Sequence, residues 1–332
     1  MMARAMTSRL VSAGTARGMA TGAAAKVLPE VPKVGVIGMG LMGHGIIQVA
    51  AQAGFDVVGY DAFPGAADKA MERINGSLAK QTGRAVQKGS MSEAEAAASV
   101  ESTVARISHS GDMDALKGCS LVIEAMPEDI ALKRKVWTDL QAATAGTDPI
   151  LATNTSSLQL ADMADSTGCP DRFVGLHFFN PVQLMRLVEV VRTDDTSEAA
   201  VDVACRFVEA IGKTPVMCKD TPGFVVNRLL VPYMAQAMAM LDRGEADVAG
   251  IDAAMRLGAG YPMGPFTLAD YVGLDTCLSI LRGWTEKYPG EPAFIVPDVL
   301  VRMVEAGHYG RKSGRGFYTW DGDKPTGVAS SA

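Results

Sequence analysis

Val31-Pro-Lys-Val-Gly-Val-Ile37, running straight into Gly38-Met-Gly-Leu-Met-Gly43, is the stretch that decides the fold. The first part is a short β-branched run, the signature of a buried parallel strand. The second has GxGxxG spacing and leads into an apolar helical stretch, Ile46–Ala53, which Gly54 stops. Asp56–Tyr60 then reads as a second strand, completing one βαβ unit. A glycine pattern alone is weak, but in this setting each glycine has a task. One makes the tight turn, one lets backbone approach a pyrophosphate, and one lets helix pack closely on strand.

Outward from this unit, helical segments are expected over 65–83 and 92–98. Strands are expected at Thr103–Ile107, Leu121–Ala125 and Ile150–Thr153, with a helix over 131–145. Arg172–Phe179, Leu187–Val191 and Pro215–Cys218 add strand-like runs around a helix at Ser197–Ile211. Alternating strands and helices imply an α/β fold, a Rossmann-type doubly wound and mainly parallel sheet. The character changes at Lys219-Asp-Thr-Pro-Gly223, after which the pattern is helical, rich in Met and Leu and broken by Gly-Pro turns. The expected division is therefore a nucleotide-binding domain over 30–219, an all-helical C-terminal domain over 220–320 and a disordered tail over 321–332.

The motif predicts a dinucleotide on the first helix N-terminus, where free N–H groups and the positive dipole end face the phosphates. Gly38, Gly40, Leu41, Met42 and Gly43 form that loop. Asp61, at the end of the second strand, is placed to accept from the adenosine ribose hydroxyls and would repel a 2′-phosphate. No Arg lies in 62–67 to neutralise one, so NAD is expected over NADP. Capping of the next helix by Asp61 is the alternative, and the two are compatible.

Composition narrows the class. A net charge of −6 argues against a nucleic-acid partner. No apolar run approaches the roughly 20 residues of a membrane span. The five cysteines are far apart with no CxxC pair, so neither a metal site nor a disulfide framework is expected. Residues 1–29 carry Arg4, Arg9, Arg17 and Lys26, many small residues and no acid before Glu30. That is the composition of a mitochondrial transit peptide, implying the matrix, with an extension that carries no address (and a cytoplasmic protein) as the alternative.

Of the four histidines, His177 stands apart. It ends the run Phe173-Val-Gly-Leu-His177, and strand C-termini are where ligands bind in this architecture. Oxidation of a secondary alcohol requires a proton acceptor working near neutral pH, which suits histidine. Glu189 on the following strand can reach the second ring nitrogen and fix the tautomer. Ser156, in Asn154-Thr-Ser-Ser157 after another strand, and Asn227, in the first turns after Asp220-Thr-Pro-Gly223, are candidate neutral donors to substrate or ordinary cap residues.

The chain resembles the L-3-hydroxyacyl-CoA dehydrogenases of the short-chain type. The resemblance is carried by Gly38–Gly43, Val122-Ile-Glu-Ala125, Asn154-Thr-Ser-Ser157, His177-Phe-Phe-Asn-Pro181, Leu187-Val-Glu189, Cys218–Asn227, Leu257–Pro265 and Gly314-Arg-Gly-Phe-Tyr318. It covers roughly 31–320. It implies NAD-dependent oxidation of an (S)-3-hydroxyacyl-CoA in fatty acid β-oxidation, with His177 as acid/base, Glu189 as its partner, and Ser156 and Asn227 orienting the substrate. It also implies NAD contacts from Glu128, Lys133, Ser156 and Lys312, CoA contacts from Ser77 and Arg84, and a homodimer through the helical domain. Three departures stand out: Arg84 stands where the family commonly has Lys, Met39 replaces a usual glycine, and His44 stands where the family often has Ala.

Coenzyme A is also suggested by the residues themselves. Lys69, Arg73, Ser77, Lys80 and Arg84 recur at spacings of four, four, three and four, one face of a helix. Such a basic stripe on an acidic protein offers a seat for CoA phosphates, with a solvated face as the alternative. Two other functions compete. A β-hydroxyacid dehydrogenase acting on a free acid would share the glycine loop but use a catalytic Lys. A non-catalytic NAD-binding protein would not need the His177–Glu189 pair.

Overall fold

The computed structural model describes Leu28 and residues 31–329. The strands are β1 (Lys33–Ile37), β2 (Asp56–Tyr60), β3 (Ile107–Ser110), β4 (Leu121–Glu124), β5 (Ile150–Thr153), β6 (Phe173–Phe178), β7 (Leu187–Arg192), β8 (Thr214–Lys219), β9 (Tyr318–Asp321) and β10 (Lys324–Val328). The helices are α1 (Gly43–Gln52), α2 (Ala66–Gln87), α3 (Glu93–Val104), α4 (Ile130–Ala143), α5 (Ala161–Ala164), α6 (Glu198–Ala210), α7 (Val226–Asp242), α8 (Val248–Gly258), α9 (Pro265–Val272), α10 (Leu274–Lys287) and α11 (Asp298–Glu305).

The first eight strands form one sheet in the order β3-β2-β1-β4-β5-β6-β7-β8. Every neighbouring pair is parallel except β6 and β7. The chain leaves β1 in one direction to build β2 and β3 and in the other to build β4 onward, so the C-terminal ends of β1 and β4 flank a crevice at the switch in strand order. Buried Val34, Val36, Ile46, Ile47 and Ile123 pack the sheet against α1, while Trp137 and Phe173 fill the other face in an edge-to-face pair at 5.4 Å. A separate core of Met234, Met238, Phe266, Leu281 and Trp284 holds the helical layer together.

Two expectations are corrected. The strand placed at Thr103–Ile107 begins only at Ile107. A capping box between Ser92 and Glu95 starts α3, and Thr103 Oγ1 donates back to the Ser99 carbonyl at 2.8 Å, so the β-branched residues there continue the helix. His109 consequently lies on β3. The tail expected to be disordered from 321 onward instead pairs as the antiparallel hairpin β9–β10, so the C-terminal layer is helical with a β appendage. Its small polar composition hides an anchor: Trp320 is buried, its Nε1 donating to Asp270 Oδ2 at 2.8 Å, and Ala329 N donates to the Phe317 carbonyl.

Residues 330–332 and the transit-peptide reading, apart from Leu28, lie outside the described residues. Among the described residues no helix is long and apolar enough to cross a membrane.

Candidate active site

The glycine loop explains itself atom by atom. Gly38 has φ +90°, and a Cβ there would lie 2.8 Å from the Ala125 carbonyl oxygen at the end of β4. A Cβ on Gly43 would penetrate the Gly38 carbonyl, so α1 can start this close to β1 only with glycine. Gly40 differs: among the described residues nothing lies within 4 Å of where its Cβ would be. Neither strain nor internal packing requires glycine at Gly40, and the open space above it is where a diphosphate would approach backbone. The start of α1 carries no side-chain cap, leaving its first N–H groups available to an anion.

Asp61 Oδ2 accepts from Met39 N at 2.8 Å and Oδ1 from Phe63 N at 3.0 Å. The acid therefore ties the glycine loop to the end of β2 and turns the chain before α2, while its remaining lone pairs are open to ribose hydroxyls. His44 Nδ1 lies 2.8 Å from the Gly40 carbonyl oxygen. A carbonyl can only accept, so Nδ1 carries the proton and the imidazole braces the same loop.

His177 and Glu189 are directly opposed residues of the antiparallel β6–β7 pair. Opposed residues project to one face of a sheet, which places His177 Nδ1 2.6 Å from Glu189 Oε2. Both are buried, at 5% and 0% exposure, so the pair is shielded from water. The other carboxylate oxygen, Oε1, accepts from Val225 N at 3.0 Å and Val226 N at 2.8 Å. These amides open α7, which has no side-chain cap of its own. Glu189 thus caps the first helix of the helical layer from across the sheet, at the end where the dipole favours an anion. Phe179 and Phe224 flank the imidazole with ring centroids 4.5 and 5.5 Å away. Phe224 holds φ +52°, an unusual value for a residue with a Cβ, at the turn that carries its ring to His177.

Neighbouring Cys218 on β8 is pushed up to about 12, first by burial and then by the charges of Glu189 and Asp220. Its thiol stays protonated at neutral pH and supplies no competing nucleophile.

Asn154 Oδ1 accepts from Phe178 N at 2.8 Å, binding the ends of β5 and β6 together. This brings the Ser156 turn alongside the His177 strand. Ser156 N and Oγ both donate to Glu128 Oε1, at 2.6 and 3.0 Å. With its one hydroxyl proton committed to Glu128, Ser156 offers an acceptor rather than the donor expected from sequence.

Lys133 is 1% exposed. Its Nζ lies 2.6 Å from Glu124 Oε1 and 3.5 Å from Glu128 Oε2. It therefore lies beneath Glu128 and sets that carboxylate. Glu124, which sequence reading did not single out, is the fully buried centre of this network and also accepts from Met126 N and Thr153 Oγ1. A charged residue ending an apolar strand at the ligand-binding edge was the available signal.

Asn227 is half-buried in the first turn of α7, its side chain without a hydrogen-bond partner among the described residues. Its amide is thereby left for an external group. Lys312 lies in a turn of the helical layer, where its Nζ, 2.6 Å from Asp275 Oδ1, is held in an ion pair. Ser77 and Arg84 lie on α2, Ser77 half-buried and Arg84 exposed, in line with exposed Lys69, Arg73 and Lys80.

Residues 33–221 match the family model described as 3-hydroxyacyl-CoA dehydrogenase, NAD binding domain, and residues 223–320 match 3-hydroxyacyl-CoA dehydrogenase, C-terminal domain. A probable 3-hydroxyacyl-CoA dehydrogenase of Caenorhabditis elegans is 47% identical over 305 residues, 92% of this chain and 96% of its own. The mitochondrial hydroxyacyl-coenzyme A dehydrogenase of Sus scrofa is 44% identical over 317 residues, covering 95% and 98%. Among solved structures, (S)-3-hydroxybutyryl-CoA dehydrogenase from Ralstonia eutropha superposes with a TM-score of 0.81 at 37% identity, covering 88% of this chain and 99% of that one.

Proposed function

The chain belongs to the 3-hydroxyacyl-CoA dehydrogenase family, and from that premise we propose how its residues divide the work of the reaction. The protein is an NAD-dependent oxidoreductase that converts an (S)-3-hydroxyacyl-CoA to the 3-oxoacyl-CoA in fatty acid β-oxidation. The observation that carries the residue roles is the buried His177–Glu189 pair at the sheet edge that also bears the glycine loop.

When bound, NAD would supply the acceptor for the hydride of substrate C3. Gly40 and the start of α1 would hold its pyrophosphate and Asp61 its ribose. His177 Nε2 takes the hydroxyl proton, because Nδ1 is already occupied by Glu189. The imidazolium that forms is balanced by the Glu189 carboxylate, 2.6 Å from Nδ1 on the far side of the ring. The aromatic rings of Phe179 and Phe224 keep water from competing for that proton. Ser156 Oγ, its own proton held by Glu128, is left to accept from a cofactor hydroxyl beside the substrate, and the Asn227 amide donates to the acyl oxygen. Lys133 acts through Glu128, and Lys312 reaches the cofactor only by releasing Asp275. The CoA nucleotide sits on the basic face of α2, whose four cations have no ion pair among the described residues. The domain division near Asp220 is supported by the two separate cores.

Purified protein given 3-oxoacyl-CoA and either NADH or NADPH tests this reading. NADH is expected to be consumed at a far higher kcat/KM, and Asp61→Ser should narrow the gap. Equal use of both cofactors by the unaltered protein overturns the role of Asp61, and no turnover of any 3-oxoacyl-CoA overturns the reading as a whole.

The mitochondrial name of the Sus scrofa relative and the basic, acid-free residues 1–29 support a mitochondrial protein, in the matrix. Exposed Leu229, Leu257, Tyr261 and Val272 on the helical layer support a homodimer through it. Protein recovered from a matrix fraction should therefore begin near residue 29 and sediment as a dimer. An intact N-terminus or a monomer contradicts the corresponding claim.

A further inference from the structure

Four glutamine side chains line up head to tail between the catalytic loop and the basic helix. Gln183 Nε2 donates to Gln48 Oε1 at 3.0 Å, Gln48 Nε2 to Gln52 Oε1 at 3.4 Å, and Gln52 Nε2 to Gln81 Oε1 at 2.9 Å. Gln183 lies in the loop that follows the His177 strand. Gln48 and Gln52 are one turn apart on α1, the helix that begins at the glycine loop. Gln81 is on α2, four residues after Ser77 and three before Arg84, so it shares their face.

The loop end of this chain is firmly seated. A Cβ on Gly45 would lie 2.8 Å from Val182 Cβ and 3.3 Å from Gln183 Nε2, so the loop rests directly on α1 at a glycine. From the other side Lys213 Nζ donates to the carbonyls of Val182 and Met185. Gln48 is completely buried and cannot exchange its partners for water. At the other end Gln52 and Gln81 are exposed, so water competes for their hydrogen bond until something covers it.

We propose that this amide chain is a positioning relay: a CoA nucleotide seated on α2 covers the Gln52–Gln81 link, and the chain transmits that ordering to the loop beside His177. The proposal rests on the assignment of CoA to the basic face of α2. Because each amide both donates and accepts, fixing one end favours a single orientation of all four. The relay gives the enzyme a means of spending remote binding on orientation at the reacting carbon, where it raises kcat rather than lowering KM.

Gln52→Met and Gln81→Met keep side-chain length on exposed helical positions and should leave thermal stability unchanged. NADH-dependent reduction is measured with 3-oxobutanoyl-CoA and with the pantetheine thioester of the same acid, which lacks the nucleotide. Each variant is expected to lose about three- to tenfold in kcat on the CoA substrate, what one modest hydrogen bond is worth. KM should hardly move, and turnover of the pantetheine thioester should stay at the unaltered protein's level. Equal losses on both substrates would show a purely structural role, and no loss on either would show an idle chain; each overturns the relay. Arg84→Ala separates the underlying assumption: it should raise KM for the CoA substrate alone. If it does not, the nucleotide seat is misplaced and the relay has no input. If it does while the glutamine variants act on both substrates alike, the seat stands and the relay alone fails.

Discussion

His177→Gln is expected to lower kcat by about 10²–10⁴, the usual worth of a positioned acid/base, while NADH binding stays near that of the unaltered protein. Glutamine keeps polarity and approximate size in a site where the native ring is 5% exposed, so the loss should be chemical rather than structural. Nothing in the glycine loop touches His177, which is why cofactor affinity should survive.

Glu189→Gln should be comparably damaging for two separable reasons. Its two oxygens now accept on opposite sides, Oε2 from His177 Nδ1 and Oε1 from the amides of Val225 and Val226. A glutamine has only one oxygen. If that oxygen keeps the two amides, the NH₂ group faces Nδ1, and the ring must carry its proton on Nε2, where it cannot act as base toward an alcohol. If the amide flips, two helix N–H groups confront an NH₂ and α7 loses its cap. In either orientation α7 loses the negative charge at its positive end, so a fall in melting temperature should accompany the loss of turnover for Glu189→Gln but not for His177→Gln. The double variant should be little slower than the worse single one, because the pair acts as a unit. If His177→Gln keeps more than about a tenth of the activity, the residue does not supply the acid/base worth expected of one.

That pair was legible before any coordinates because its geometry is local: two neighbouring strands with one side chain from each. The glycine loop was legible for the same reason, its packing being set within one βαβ unit. What stayed hidden depends on distant chain. The amides of Val225 and Val226 meet Glu189 from 36 and 37 residues away. Lys133, which the resemblance implies as an NAD contact, is buried between Glu124 and Glu128, a burial that a periodic pattern of charge does not reveal. Asp61 was read against ribose or a helix cap, and its grip on Met39 N is a third role that neither motif implies. The β9–β10 hairpin was missed because its stability comes from one tryptophan docking on Asp270 in another element, not from strand-like composition.

The glycine loop makes the other large prediction, and it rests on a contrast between two glycines three residues apart. At Gly43 a side chain would enter the Gly38 carbonyl, so even Gly43→Ala must push α1 away from β1. That displacement disturbs buried Val36, Ile46 and Ile47, and overpacking of a tight core costs about 1–3 kcal/mol or more. Gly43→Ala should therefore lose stability and cofactor binding together. At Gly40 no described residue comes within 4 Å of the Cβ position and the backbone is not left-handed. Gly40→Val should fold with nearly the native melting temperature, because no atom of the described residues lies within 4 Å of the new Cβ. The pyrophosphate would meet the new methyl groups: they occupy the approach to the open amides of α1, and a clash of the same size weakens NADH by about 10–100-fold. Titration of NADH fluorescence beside a thermal melt distinguishes the two variants. A Gly40→Val protein that melts normally and binds NADH as tightly as the native chain would place the diphosphate elsewhere than on this loop.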